Sequence, residues 1–252
     1  MAFLLEEVFS GWADMKLAIC VATMREESGV FPGDIPLAIA NSVTDPNVYV
    51  QYNRRGNNLG VIGSYRHLYA TSTEDILCFL HDDVVIREKG WDARVLDEFH
   101  DTKVGIVGFG GALRHGTADL YKTPYRLQQL IRGEYKSNVD DAEVHGERFT
   151  GSFRAAVLDG FCLCVRRSFL DRVGGFSLFP EHSNYFCYDY ILCALCRRFG
   201  FDVRAVGIRC HHRGGSASIN VDNYWTSQEA YYQSHRWFYD NFKDVMPASV
   251  RA

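Results

Sequence analysis

The sequence predicts an α/β fold in which an open, mostly parallel sheet is flanked by helices. Apolar runs of strand length alternate with helix-length segments through the first half of the chain. Strands separated by helices of about ten residues are typical of right-handed βαβ units. The 252 residues, 47% of them hydrophobic, are enough for the sizeable core that such a sheet needs.

The individual elements follow from apolar runs bounded by Gly, Pro, Asn and Asp. Strands are predicted over residues 17–21, 47–52, 75–83, 104–107, 156–166 and 203–208. Helices are predicted over residues 35–43, 60–70, 91–100, 168–173, 190–199 and 231–242. The first helix follows Pro32-Gly33-Asp34, the second follows the turn Gly56-Asn57-Asn58, and Gly174 and Gly200 end later ones.

One long segment, residues 112–153, breaks this alternation. It is polar and aromatic and shows no sustained period. A stretch of this length inside a compact chain is usually a functional loop or lid. There are no internal repeats or low-complexity segments, so the sequence indicates a single domain over residues 1–252.

Charge and composition exclude several classes of protein. The net charge of -4 gives no footprint for nucleic acid. No apolar run approaches the roughly 18 residues that suggest a membrane span, and the acidic start lacks the basic region of a secretory signal. We therefore expect a cytoplasmic location, with the eight cysteines as reduced, buried thiols. Cys193 and Cys196 have metal-like spacing but lie in a predicted buried helix, which disfavours structural zinc.

The most informative motif is His81-Asp82-Asp83, at the exit of the apolar run 76–80. Ligand crevices form at the carboxyl ends of parallel strands. Hard divalent cations choose oxygen ligands there and often complete their shell with phosphate oxygens. The motif alone is equally compatible with a solvated acidic turn.

Three further polar groups end or interrupt apolar elements: Asp159-Gly160, Tyr188-Asp189 and His211-His212. Each also has a plain structural explanation. Asp189 fits a helix N-cap, Asp159 a turn before glycine, and the histidine pair a surface turn.

Together and in this order, the motifs resemble family 2 glycosyltransferases of the GT-A fold, a Rossmann-like fold. The resemblance spans residues 16–242 and has five parts. These are residues 21–25 after the first strand, Asn58-Leu59-Gly60, the His-Asp-Asp variant of the Asp-x-Asp motif, residues 158–163 with 173–176 and Tyr188-Asp189, and the glycine-rich 211–216.

The resemblance implies a metal-dependent, inverting glycosyltransferase that moves a sugar from a nucleotide-diphosphate sugar to an acceptor hydroxyl. Residues 15–110 would form the nucleotide-binding half and residues 111–252 the acceptor half. A UDP-sugar is the favoured donor, and Mn²⁺ or Mg²⁺ the cofactor. The acceptor is not specified by these residues.

The resemblance also implies roles for particular residues. Asp189 would be the general base, and Asp83 and His211 would bind the metal, with His212 and His81 as further possible ligands. Trp91 would hold a sugar hydroxyl, and the backbone of residues 214–216 would contact phosphate. Nucleotide and donor contacts would come from Thr23, Arg25, Glu27, Asn53, Asn58, Gly60, Asp82, Asp159 and Gly160.

The chain departs from the family pattern at four places. His81 replaces the first acid of Asp-x-Asp, and Asn53 replaces an aspartate that often reads uracil. Tyr65-Arg66 stands where an Arg-Asn pair is common, and Ile191 where a second acid is often found.

Three alternative functions remain open. A nucleotidyltransferase would use a similar sheet and metal site, but the loop 23–27 contains two acids instead of a basic, glycine-rich run. A dinucleotide-dependent oxidoreductase has only residues 108–113 as a fingerprint, which follow the fourth strand and lack the last glycine. A non-catalytic sugar-binding protein could keep the same fold and site.

Overall fold

The computed structural model describes residues 15–24, 34–53, 58–116, 135–137, 147–213, 228–246 and 248–250. Strands in these ranges are β1 (Leu17–Thr23), β2 (Asn47–Tyr52), β3 (Ile76–His81), β4 (Val84–Ile86), β5 (Val104–Gly108), β6 (Gly110–Ala112), β7 (Arg114–His115), β8 (Tyr135–Ser137), β9 (Ser152–Arg154), β10 (Val157–Leu158), β11 (Cys162–Arg166), β12 (Asp202–Val206), β13 (Cys210–His212) and β14 (Ala248–Ser249). Helices are α1 (Ile35–Ala40), α2 (Gly60–Thr71), α3 (Trp91–Glu98), α4 (Arg167–Val173), α5 (Tyr188–Arg198) and α6 (Gln228–Asn241). A 3₁₀ turn spans Glu181–Ser183.

Seven strands form the central sheet, in the order β2-β1-β3-β11-β5-β12-β9. The strands β2, β1 and β3 pair in parallel, as do β5 and β12. The strand β11 joins these two sets by pairing antiparallel with both β3 and β5, and β9 pairs antiparallel with β12. Five of the seven strands therefore run in one direction, which confirms the predicted open, mostly parallel α/β sheet.

The sheet is covered by helices on both faces. Alternate residues of β1 and β3 enter different core layers, as the period of a strand requires. Cys20 and Phe79 belong to the layer that includes residues of α2, α4 and α5. Ile19 and Leu80 belong to the layer that includes residues of α1 and α3. Since both faces are buried, these strands read in the sequence as continuous apolar runs.

Two predicted strands differ from the strands of the structure, and each difference falls at aspartate residues. The strand predicted over residues 75–83 already ends at His81, and after the turn at residues 82–83 a separate strand, β4, begins at Val84 and pairs with β13. The run predicted over residues 156–166 is divided into β10 and β11 by a turn at residues 159–161. Carboxylate and glycine residues favour turns, which explains both breaks.

The remaining predictions about the chain also have an outcome. All eight cysteines are free and buried, as expected for reduced thiols, and Cys193 and Cys196 lie inside α5. No helix in the described ranges is long and apolar enough to cross a bilayer. Of the segment predicted as an irregular loop, residues 117–134 and 138–146 lie outside the described part of the chain.

Candidate metal and catalytic site

The candidate site lies where the chain leaves the central sheet at the end of β3. The strand ends at His81, the chain turns through Asp82 and Asp83, and β4 begins at Val84. The strand β13 runs antiparallel to β4 and pairs His212 with Val84. The return of the chain in β13 thus brings a histidine from more than 100 residues away next to the acidic turn.

Three side chains at this point, His81, Asp83 and His212, form what we call the ligand cluster. One ligand atom from each, two imidazole nitrogens and a carboxylate oxygen, lie within 4.8 Å of one another. His212 Nε2 is 3.4 Å from Asp83 Oδ1. The ring of His212 stacks on Phe161, with centroids 5.0 Å apart and an interplanar angle of 25°. Carboxylate and imidazole donors at this spacing fit a divalent cation such as Mn²⁺.

The charge of Asp83 is maintained although the residue is only 6% exposed. Burial by itself raises the pKa of this carboxyl, but the hydrogen bond with His212 and the charges of His212 and His81 lower the pKa below its ordinary value. Asp83 is therefore a carboxylate at neutral pH, which is the form that a cation binds.

The two neighbouring histidines of β13 are not equivalent. His212 belongs to the ligand cluster, whereas His211 pairs with Val85. Successive side chains of a strand point to opposite faces, so His211 is directed away from the face that His212 occupies. Within the described residues, the geometry therefore favours His212 over His211 as the second metal ligand.

Asp82 is directed to the neighbouring strand rather than into the ligand cluster. Its Oδ2 accepts a hydrogen bond of 2.6 Å from the hydroxyl of Thr23, the last residue of β1. Thr23 is 2% exposed. This hydrogen bond joins the carboxyl ends of β1 and β3. Thr23 and Asp82, two of the residues predicted to contact the donor, therefore lie together at one edge of the sheet.

A cavity of about 220 Å³ opens beside the ligand cluster. Its polar side is formed by the cluster and Asp82. Its remaining wall is mainly apolar and aromatic and consists of Ala22, Val61, Tyr65, Leu80, Tyr185 and Tyr188. A concave, largely apolar pocket with a few convergent polar groups is the usual form of a small-molecule site.

Tyr188 connects the ligand cluster to a second polar region. Its hydroxyl lies 2.9 Å from His81 Nε2. A Cβ added at Gly160 would lie 2.4 Å from that hydroxyl, so the backbone at Gly160 approaches the tyrosine ring too closely for any side chain. Burial, followed by the charges of Tyr65, Asp189, Asp159 and Asp83, raises the pKa of Tyr188. Tyr188 thus lies among three carboxylates.

Asp189, the second residue of α5, has a carboxyl group whose pKa is strongly raised. Burial and then the charge of Asp159 raise its pKa to about 7, although hydrogen bonds from the backbone N–H groups of Tyr190 and Gly160 act in the opposite direction. Its Oδ1 accepts the bond from Tyr190 N at 2.9 Å. A carboxyl with this pKa exchanges a proton near neutral pH, as a general base must.

Three asparagines near the start of α2, Asn53, Asn58 and Asn184, form what we call the asparagine cluster. Asn53 Nδ2 donates to Ser64 Oγ, and its Oδ1 accepts from Leu59 N. Asn58 Oδ1 accepts from Gly60 N, and its Nδ2 donates to the hydroxyl of Tyr185. The side-chain amides of Asn53 and Asn58, which are predicted to contact the nucleotide, are therefore hydrogen-bonded within the protein.

Asn184 caps α2 from a distant part of the chain. Its Oδ1 accepts from the N–H groups of Ile62 and Gly63, and its Nδ2 donates to Leu59 O. A Cβ at Gly60, where φ is +68°, would lie 2.2 Å from this side chain. Gly60 is thus required by a positive φ and by the cap, which is a structural role for the predicted Asn-x-Gly turn.

Other predicted residues lie elsewhere. Trp91 is fully buried, and its Nε1 donates to Ala38 O at 2.9 Å, so Trp91 is not included among the residues proposed to hold a sugar hydroxyl. The charge of Asp159 raises the pKa of Asp189 and opposes the lowering of the pKa of His81, so Asp159 lies near enough to both residues to affect their charge. Arg25, Glu27 and residues 214–216 lie outside the described part of the chain.

Sequence reasoning missed the contacts that hold these residues in place. The sequence predicts a role for Asp189 but none for Tyr188 beside it, and none for Phe161 or Asn184. The Gly160-Phe161 step offered a signal, because a glycine beside an aromatic residue indicates close backbone packing. Nothing in the sequence links Asn184 to a helix that begins more than 100 residues earlier.

An α/β sheet with a candidate divalent-cation site at its edge defines the class of this protein. No protein-family model and no curated protein sequence matches the chain. Among solved structures, it is similar to A197 from STIV, with 15% identity, a TM-score of 0.48, and coverage of 80% of this chain and 87% of that one.

Two other solved structures with similar values are enzymes by their names. One is the mannosyltransferase PcManGT from Pyrobaculum calidifontis in complex with GDP-Man and Mn²⁺, with 12% identity, a TM-score of 0.47 and coverage of 85% of this chain. The other is GalNAc-T7 with UDP, GalNAc and Mn²⁺, with 12% identity, a TM-score of 0.47 and coverage of 92% of this chain. The chain spans 65% and 52% of their lengths, respectively. The function proposed below therefore rests on the site itself.

Proposed function

We propose that this protein is a GT-A glycosyltransferase that uses a divalent cation, Mn²⁺ or Mg²⁺, to transfer a sugar from a nucleotide-diphosphate sugar to an acceptor hydroxyl with inversion. One observation carries the proposal. A carboxyl with a pKa of about 7, Asp189, directly follows the tyrosine that bonds to the ligand cluster. A proton acceptor and a cation site are thereby supported by the same short segment.

Asp189 is the proposed general base. An acceptor hydroxyl loses its proton as its oxygen attacks the anomeric carbon, and the base has to be ionised beforehand. Because burial and Asp159 raise the pKa of Asp189 to about 7, a large fraction is ionised at neutral pH and the carboxylate still has appreciable basicity. A single base of this kind, without a covalent sugar–enzyme step, is what inversion requires.

The ligand cluster is the proposed cation site. Asp83 supplies the carboxylate, and His212, held by Phe161, supplies an imidazole. When bound, a divalent cation supplies positive charge opposite the departing diphosphate. The residues of the cluster need only small adjustments to meet one ion, because their ligand atoms already lie within 4.8 Å of one another.

The cavity beside the cluster is the proposed donor site, and a UDP-sugar is the donor we favour. The aromatic wall of Tyr65, Tyr185 and Tyr188 offers a largely apolar surface for a base or a sugar ring. Thr23 and Asp82, bonded to each other at the carboxyl ends of β1 and β3, are proposed contacts of the nucleotide, and their position beside the cavity wall at Ala22 supports this role. The asparagine cluster supports this wall, because Asn58 bonds to the hydroxyl of Tyr185. Asn53 is not proposed to contact the donor, because its amide is bonded to Ser64 and Leu59.

The decisive experiment begins with a thermal-shift panel of nucleotide sugars in the presence of Mn²⁺, followed by a hydrolysis assay on the donors that bind. We expect Asp189→Asn to lower turnover at least 100-fold with little change in donor affinity measured by calorimetry. Asp97→Asn is the matched control, because Asp97 lies on α3 with its side chain 69% exposed.

The results separate the alternatives. Near-normal turnover in Asp189→Asn would remove Asp189 as the base and leave Asp159 and Glu181 as the next carboxyls to test. Donor binding without turnover in the unmodified protein, with any acceptor, would instead indicate a sugar-binding protein. If no nucleotide sugar binds with Mn²⁺ or Mg²⁺, the proposed function is wrong.

A further inference from the structure

We infer that three buried cysteines, Cys78, Cys162 and Cys164, form a binding site for a thiophilic trivalent metalloid such as arsenic. We call these three residues the thiol cluster. Arsenic bound there is held by three As–S bonds and links β3 to β11 in the middle of the central sheet. The inference is independent of the proposed function, because the thiol cluster shares no residue with the ligand cluster or with the proposed base.

The antiparallel pairing of β11 with β3 creates the thiol cluster. Cys164 lies directly opposite Cys78, and Cys162 lies two residues before Cys164 on the same strand. Residues two apart on a strand share a face, and so do residues directly opposite each other. All three side chains therefore lie in one core layer. The cluster was not visible in the sequence, because Cys78 and Cys162 are 84 residues apart.

The spacing of the sulfur atoms fits a single bridging atom. Cys78 Sγ lies 3.7 Å from Cys162 Sγ, and all three sulfur atoms lie within 4.8 Å of one another. Three sulfur atoms that are each about 2.3 Å from one central atom lie roughly 3.5–4.0 Å apart. Small side-chain adjustments are therefore enough to bring the three thiols onto one atom.

The surroundings of the thiol cluster exclude hard cations and a closed zinc site. All three cysteines are fully buried, and their ladder partners include the apolar residues Leu80 and Val107. Among the residues that the structure describes, no histidine or carboxylate joins the three thiols. Hard cations need oxygen ligands, and structural zinc takes four protein ligands. Three thiols alone are the donor set of a soft, thiophilic atom.

Charge selects among the thiophilic atoms. With three thiolates, Cu⁺ forms a complex with two negative charges, and Zn²⁺ or Cd²⁺ forms a complex with one. An uncompensated charge is costly in a fully buried, apolar position. Trivalent arsenic with three thiolates is neutral, and its lone pair occupies the fourth position, so the complex needs neither a water molecule nor a further ligand.

Binding is a ligand exchange without electron transfer. Arsenous acid, As(OH)₃, loses its three hydroxyls as three molecules of water, each formed with the proton of one thiol. Three As–S bonds replace three As–O bonds, and arsenic remains trivalent. Since the thiol cluster is fully buried, arsenic enters when the sheet opens locally, and we expect slow binding.

The test is prolonged equilibration of the whole chain with arsenite in the presence of a phosphine reductant, because a thiol reductant would compete for arsenic. We expect native mass spectrometry to show one bound arsenic atom per chain. X-ray absorption at the arsenic edge should show three sulfur neighbours and no oxygen neighbour. The unfolding midpoint should rise by several degrees, because the folded chain presents the three thiols already assembled.

Two variants on different strands locate the site. Cys78→Ala and Cys164→Ala each leave two thiols, and we expect either one to lower arsenite affinity roughly 100-fold, as the loss of one linked binding group should. Cys196→Ala is the matched control, because Cys196 is equally buried but lies on α5. Its arsenite affinity should equal that of the unmodified protein, with the folding of all variants verified by circular dichroism.

Several results would overturn the inference. One is the absence of bound arsenic in the folded, unmodified protein, and another is an X-ray absorption spectrum with two sulfur neighbours and one oxygen neighbour. A loss of affinity in Cys196→Ala as large as in Cys164→Ala would move the site to α5. Tighter binding of Zn²⁺ than of arsenite, abolished in Cys78→Ala, would replace the metalloid by a divalent cation. None of these results affects the assignment of Asp189 or of the ligand cluster, so the proposed function is tested separately.

Discussion

The ligand cluster and the asparagine cluster are both polar groups near one cavity, yet they are organised in opposite ways. In the asparagine cluster, the side-chain amides bond to backbone groups or to neighbouring hydroxyls at the start of α2. In the ligand cluster, the acidic and imidazole side chains mainly face each other. The first arrangement completes a helix terminus, whereas the second leaves donor atoms converging on a point.

This difference shows how a structural polar group can be distinguished from a functional one. Buried amides that satisfy backbone N–H groups stabilise the fold, since an orphaned N–H would cost free energy. Converging ligand atoms of mixed charge do not stabilise the fold in this way, because a buried carboxylate between imidazoles is costly to desolvate. The ligand cluster is therefore explained better by what it binds than by what it stabilises.

The largest expected effect is complete loss of cation binding in Asp83→Asn. The amide keeps the size of the side chain but removes the negative charge that a cation needs. We expect no detectable Mn²⁺ binding by calorimetry and an unfolding midpoint within about 2 °C of the unmodified protein. Persistence of metal-dependent UDP binding in this variant would contradict the assignment.

The opposite result is expected for the asparagine cluster. Asn184→Ala removes two acceptor contacts and one donor contact at the buried start of α2. We expect a loss of about 2–4 kcal/mol in the free energy of unfolding, measured in urea, because the N–H groups of Ile62 and Gly63 lose a side-chain acceptor. Asn241→Ala, at the exposed end of α6, should cost less than about 0.5 kcal/mol.

Cation affinity distinguishes this stability effect from a binding effect. If Asn184→Ala folds, it should bind Mn²⁺ with unchanged affinity, since the side chain has no contact with the ligand cluster among the described residues. A large loss of Mn²⁺ affinity with little loss of stability would break the distinction between the two clusters.

The sequence was sufficient to predict the sheet and the approximate position of the site. Apolar strands buried on both faces give continuous hydrophobic runs, and the polar residues at their ends are easy to locate. The motif His81-Asp82-Asp83 was therefore found correctly at the end of a central strand. The direction of β11, which is antiparallel to both β3 and β5, was not predictable from the sequence. The position and direction of a strand in a sheet depend on its pairing with strands that are distant in sequence.

Side-chain direction was the main property that the sequence did not reveal. His211 and His212 are adjacent and chemically identical, and only the pairing of β13 with β4 shows which one faces Asp83. Similarly, Asn53 and Asn58 have the composition of ligand-binding residues, but their partners are supplied by distant segments. Register and long-range pairing are tertiary properties, so one sequence could not distinguish these cases.

The two histidines of β13 provide the next prediction. His212→Ala should lower Mn²⁺ affinity at least 10-fold, because it removes an imidazole 3.4 Å from Asp83. His211→Ala should change affinity less than 2-fold, since that side chain is directed to the opposite face of β13. Both variants can be measured by the same calorimetric titration, and the reverse ranking would restore His211 as the ligand.

The smallest expected effect concerns the two carboxyls on either side of Tyr188, whose pKa values are shifted in opposite directions. The pKa of Asp83 is lowered, whereas that of Asp189 is raised to about 7. An aspartate in the unfolded chain has a pKa of about 3.9. Between pH of about 3.9 and about 7, Asp189 keeps its proton in the folded protein but has lost it in the unfolded chain. The contribution of Asp189 to stability therefore decreases as pH rises from about 4 to about 7.

Asp189→Asn removes this pH-dependent cost, since an amide does not titrate. We expect the variant and the unmodified protein to have similar unfolding temperatures near pH 4.5, and the variant to become more stable by a few degrees at pH 8. Turnover of the unmodified protein should show the reverse dependence and rise with pH through about 7, as Asp189 ionises. Parallel pH profiles for Asp189→Asn and the control Asp97→Asn in thermal unfolding would show that the pKa of Asp189 is not raised, and the assignment of the base would then lose its electrostatic support.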